Sequence, residues 1–67
     1  MTKKQARQMC REKAAEAGGM WSMCWDKQNG YYPAAGKGQG NKHIAYVDKN
    51  GRYLYVTKEN AEKHNLS

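Results

Sequence analysis

The run from His43 to Val56 constrains this chain more than any other stretch. His43-Ile44-Ala45-Tyr46-Val47 and Arg52-Tyr53-Leu54-Tyr55-Val56 are rich in β-branched and aromatic residues, and Asp48-Lys49-Asn50-Gly51 stands between them. Such runs suit a pleated, half-buried surface, and the Asn-Gly step supplies the positive φ that a tight hairpin turn needs. Two closures fit. A two-residue Asn50-Gly51 turn pairs Val47 with Leu54. A three-residue loop with Gly51 in a bulge pairs Tyr46 with Leu54 and Asp48 with Arg52. Asp at the first turn position and Gly at the fourth favour the second closure. That register places Ile44, Tyr46, Leu54 and Val56 on one face, with Tyr53 and Tyr55 opposite. A one-residue slip would reverse every side chain, so the register decides which surface faces outward.

A sheet this short needs one covered face, and residues 3–17 provide the cover. Thr2 with Gln5 three residues on has capping-box spacing, the alanines favour helix, and Gly18-Gly19 ends it. At 100° per residue, Ala6, Met9, Cys10 and Ala17 share an apolar side that also contains Lys13. Met20–Asp26 alternates, with Trp21, Met23 and Trp25 on one face. Asp26 to Gly30 reads as a turn and Tyr31-Tyr32 as a short return strand. Pro33 lacks the N–H of a central strand and marks an edge. Residues 33–42 carry alternating glycines and no apolar period, which predicts an exposed, mobile loop. Thr57 opens a short helix over 58–64, with Ala61 and Leu66 as its apolar contacts. The expectation is one small α+β domain over residues 1–67. Its N-terminal helix packs on a three- or four-stranded antiparallel sheet made of hairpins 20–32 and 43–56.

With 67 residues and no Phe, the core must draw its bulk from Trp, Tyr and Met, and self-association as a homo-oligomer would bury more area. The net charge is +6, falling as +3 in residues 1–17, +2 in 18–42 and +1 in 43–67. A basic surface selects polyanions, either nucleic acid or an acidic protein face. Lys3, Arg7 and Arg11 line up at i, i+4 and i+8 with Lys4 beside them. Cations in a first helical turn oppose the helix dipole, a cost that points to an anionic partner. Lys37 and Lys42 in the glycine-rich loop, and Lys49 and Arg52 at the hairpin turn, extend the candidate contact set. Tyr53 and Tyr55 complete it as stacking or anchoring groups.

Other chemistries find little support. Cys10, Cys24, His43 and His64 form a nominal Cys₂His₂ set, but their intervals are wrong for zinc. Gly30 to Gly38 has five residues where a P-loop has four, and Gly38 stands where the hydroxyl residue belongs. His43 and His64 could each serve as a base and Cys10 or Cys24 as a nucleophile, but nothing places an activated pair within reach in so small a chain, so no catalytic residue, metal or cofactor is expected. There is no secretory or transmembrane stretch. That predicts a cytoplasmic chain with both thiols reduced, a Cys10–Cys24 disulfide being the oxidising alternative. The leading expectation is a small basic non-enzymatic protein that contacts nucleic acid. The alternative is a compact inhibitor or regulator, of the kind phages and mobile elements encode, that binds an acidic surface of a host protein.

Overall fold

A computed structural model describes residues 1–35 and 40–66. Helix α1 (Lys3–Ala17) is followed by strands β1 (Met20–Asp26) and β2 (Gly30–Ala34), a 3-10 turn (Gly40–Lys42), strands β3 (His43–Asp48) and β4 (Tyr53–Leu54), and helix α2 (Lys58–His64). The strands form one antiparallel sheet in the order β2-β1-β3-β4. This is the expected α+β fold, with the sheet at its four-stranded limit. No helix among the described residues is long and apolar enough to cross a membrane.

Local chemistry sets the ends of the elements. Thr2 Oγ1 accepts from the Gln5 amide at 3.2 Å, and Gln5 Oε1 accepts from the Thr2 amide at 3.0 Å, closing the capping box. Gly18 takes φ +73 and its amide donates to the Ala14 carbonyl, which ends α1. Thr57 Oγ1 caps α2 through the Asn60 amide at 3.1 Å. Asn65 turns left-handed at the other end, and the Leu66 amide returns to the Ala61 carbonyl.

The β3–β4 turn closes by the bulged route. Tyr46 pairs with Leu54, the Asp48 amide donates to the Arg52 carbonyl at 3.0 Å, and Gly51 takes φ +83. Asp48 Oδ1 accepts from the Asn50 and Arg52 amides at 2.9 and 2.8 Å.

The side chains of β3 and β4 do not keep strict alternation. The β1–β3 register shifts between Met23 and Cys24, and Ile44 and Ala45, adjacent in sequence, are both buried in the same core cluster. An inserted residue of this kind lets neighbours share a face. Ile44 therefore leaves the Tyr46–Leu54 face expected of it, and Val56 packs on the core side as well. Strand β4 stops after two residues because Tyr55 adopts φ +54.

The core lies between α1 and the face carrying Met23, Ala45 and Val47, with Ala6, Cys10, Ile44 and Leu66 completing it. Trp21, Trp25, Tyr31 and Tyr53 pack around its margin, half-buried. The buried side of α1 is Ala6, Cys10 and Ala14; Met9, Lys13 and Ala17 are exposed. The sheet meets the helix toward the Ala14 edge of the expected apolar side, where three small residues allow close approach. Lys13 pairs with Glu16 at 3.8 Å.

Strand β2 runs through Pro33 to Ala34, two residues beyond the expected end. The reason is geometric. The Tyr31 amide points away from β1 and donates to the Met1 carbonyl at 3.3 Å. Pro33, two residues on, shares that outward orientation on the sheet edge, so its missing N–H costs no ladder bond. Of the expected loop, Gly40–Lys42 forms the 3-10 turn, and Gly36 to Gln39 lie outside the described residues.

Candidate functional site

The expected basic stripe on α1 divides among three tasks. Lys3 lies on the sheet side of the helix, and its Nζ donates to the carbonyls of His64 and Asn65 at 2.9 and 3.0 Å. It satisfies the C-terminal carbonyls of α2, where a cation suits the helix dipole. Arg7 donates from Nε to the Gly51 carbonyl at 2.7 Å, and its guanidinium lies over the Tyr53 ring, 5.0 Å from the centroid. Arg11 crosses the same turn: a Cβ built on Gly51 would lie 3.3 Å from Arg11 Cδ and 3.6 Å from Arg7 Nη2. Gly51 is thus required both by its φ and by the two arginine side chains passing over it. The cations that opposed the α1 dipole are in part compensated inside the molecule.

These contacts build a groove of about 820 Å³ between α1 and the β3–β4 turn. Its described lining holds the cations Lys4, Arg7 and Arg11, the amides Gln5, Gln8 and Asn50, the methionines Met1 and Met9, and Gly51, with no carboxylate. Lys49 and Arg52 flank the turn and are exposed. Asp48, the acid of that turn, accepts from backbone amides through Oδ1. Arg7 is held by a carbonyl and a ring, so part of its ordering cost is met before any ligand arrives.

Other candidates lie elsewhere. Lys42 pairs with Asp26 at 3.5 Å. Asp26 in turn holds the β1–β2 turn through Asn29, whose side chain and amide keep its carboxyl below the ordinary carboxylate range. Lys37 lies outside the described residues. Tyr53 is half-buried on the α1 side beneath Arg7, and burial pushes its phenol up despite the guanidinium. Tyr55 is 76% exposed and lies on the opposite sheet face, its ring 6.0 Å from Tyr46 in an edge-to-face arrangement. The two tyrosines therefore do not form one contact surface.

That opposite face carries a second concavity of about 600 Å³, lined among the described residues by Met20, Gly40, His43, Tyr46 and Tyr55. The His43 and Tyr46 rings lie 4.6 Å apart. His43 Nδ1 forms a short hydrogen bond with Ser22 Oγ, and Ser22 Oγ lies 3.7 Å from Cys24 Sγ. A serine hydroxyl on an imidazole nitrogen can activate a nucleophile; here Ser22 has no exposed surface, and the bond ties β1 to β3. Sequence spacing gave no signal for it, because the partners lie on different strands.

Cys10 and Cys24 are free and fully buried. Burial, with Cys24 nearby, pushes Cys10 up to about 12. Burial also raises Cys24, against the opposing influence of the Ser22 hydrogen bond and Lys42. His64 is buried beside Trp25 and Tyr31, with the Tyr31 hydroxyl 3.0 Å from Nδ1. Among the described residues no group of three or more His, Cys, Asp and Glu side chains is placed to hold a metal ion. Comparison with protein families, curated proteins and solved structures finds no match for the chain.

Proposed function

We propose that this chain is a small non-enzymatic protein that binds nucleic acid through the groove between α1 and the β3–β4 turn. The observation that carries this reading is the convergence of Arg7 and Arg11 on Gly51, which joins the helix cations to Lys49 and Arg52. The Arg7 guanidinium, held on the Gly51 carbonyl, can meet phosphate oxygens with its remaining N–H groups, with Arg11 beside it, and the Asn50 amide in the same lining suits sugar and base-edge contacts. The test is titration of labelled DNA and RNA strands between about 50 and 200 mM salt. Affinity should fall steeply with salt, and Lys4→Ala and Arg11→Ala should each lower the log–log slope by about 1. Absence of binding at low salt would refute the reading.

A second reading is a regulator that docks on an acidic protein surface. It is favoured by the exposed Met1 and Met9 in the groove lining, since methionine adapts to protein partners and arginine binds carboxylates in bidentate fashion. Recovery of one stoichiometric protein partner after nuclease treatment would favour it over the first.

A further inference from the structure

We propose that the hollow formed by Met20, His43, Tyr46 and Tyr55 receives an unstacked nucleobase, and that the nucleic acid taken by this chain is therefore single-stranded. The inference rests on the nucleic-acid reading of the basic groove and adds a second contact to it.

The first observation is Tyr55 itself. It is a large aromatic side chain, 76% exposed, on a residue with φ +54. Bulky residues other than glycine rarely adopt that conformation, and such strain concentrates at binding sites. Its effect is specific. Strict alternation would set Tyr55 on the α1 side with Tyr53. The left-handed turn instead carries its ring across to Tyr46.

The second observation is the shape and chemistry of the hollow. The Tyr46 and Tyr55 rings meet at 88°, forming two walls of a corner, and His43 stands against Tyr46 with its ring tilted by 56°. Gly40 contributes no side chain to the rim. A flat heterocycle laid on one wall meets the edge of the other, the geometry aromatic pairs prefer. The Tyr46 and Tyr55 phenol hydroxyls offer hydrogen bonds to base edges. The described lining is built of aromatic rings and Met20, which suits a planar group.

The third observation is continuity with the groove. Tyr53 lies beneath Arg7 on one face, and Tyr55 stands at the hollow on the other. Tyr53 and Tyr55 are two residues apart in the chain, and β4 is the terminal strand of the sheet. A single strand passing around that side of the molecule would set phosphates on Arg7 and Arg11 and a base on Tyr55. In a duplex the bases are paired and stacked, and none reaches the hollow without being flipped out.

The experiment compares a labelled thymidine oligonucleotide, an abasic strand of equal length and a hairpin duplex, each titrated into the protein at low salt. The wild type should bind the base-bearing strand at least about fivefold tighter than the abasic one, the lower end of one aromatic stack. Tyr55→Ala should erase that ratio and Tyr55→Phe should keep it. Tyr55→Gly, which suits the left-handed backbone, gives the same loss of ring without strain. Arg11→Ala should weaken both strands alike. Equal, salt-dependent binding of the base-bearing and abasic strands would overturn the base site and leave the groove standing. No binding of any strand would overturn both. A dimer in sedimentation that Tyr55→Ala abolishes would assign the hollow to a second copy and overturn the proposal.

Discussion

Replacing Lys3 and Lys4 one at a time separates a folding role from a surface role on adjacent residues. Lys3→Met removes two hydrogen bonds from an ammonium to the α2 carbonyls, one partly buried and one exposed. Hydrogen bonds to charged groups contribute about 1.5–3 kcal/mol when well sheltered and less at the surface. The loss expected here is about 1–2 kcal/mol. Lys4→Met, at an exposed position of the same first turn, carries the same change in helix propensity and dipole charge, so those effects cancel between the two variants. In thermal unfolding the Lys3 variant should melt about 4–8 °C lower per kcal/mol lost in a domain of this size, and the Lys4 variant close to wild type. A pH signature accompanies the difference. Burial first, then Lys63 and Lys3, hold His64 below its ordinary value of 6.5. The unfolded chain takes up that proton at higher pH than the folded one, so stability present above 6.5 is lost as the pH falls toward the folded value. Lys3→Met removes one of the lowering charges and moves His64 back toward 6.5, so the variant loses less on acidification. The gap between wild type and Lys3→Met should therefore narrow below 6.5. Equal melting of the two variants at neutral pH would refute the assignment of Lys3 to the α2 carbonyls, and a gap that does not change with pH would refute its influence on His64.

Two further outcomes follow from the packing. Gly18→Ala and Gly51→Ala both force an alanine into the left-handed region, costing roughly 1–2 kcal/mol each in urea denaturation. The added methyl meets open space at Gly18 but the arginine side chains at Gly51, so Gly51→Ala alone should also weaken oligonucleotide binding. Cys10 and Cys24 should react with a thiol reagent far more slowly in the native protein than in denaturant, because both are fully buried and both thiols are raised; rapid reaction at neutral pH in the native state would contradict their burial.

The elements whose signals lie within a few residues were legible from the chain. The bounds of α1 and α2 coincide with their caps, since a cap satisfies helix amides three residues away. The β3–β4 register followed from Asp48 and Gly51, whose preferences belong to the turn alone. The site was legible only as a set of residue types. Lys3, Arg7 and Arg11 read as one solvent stripe, yet Lys3 bonds to carbonyls 61 and 62 residues away and Arg7 to one 44 residues away. Ser22 and His43, Trp25 and His64, and the hollow under Tyr55 gave no signal, because each joins separate elements.

The helix ends and the β3–β4 turn in this chain are marked by capping and positive-φ residues, signals that depend only on neighbours along the chain. Which side of α1 is buried, which cations remain for a partner and which tyrosine faces water are decided by burial against the whole sheet. Ala6, Cys10 and Ala14 admit the strands closely, and that approach draws Lys3 to the α2 carbonyls and Arg7 to Gly51. The left-handed turn at Tyr55 then separates it from Tyr53. Those outcomes depend on distances between residues remote in sequence, which periodicity along the chain does not encode.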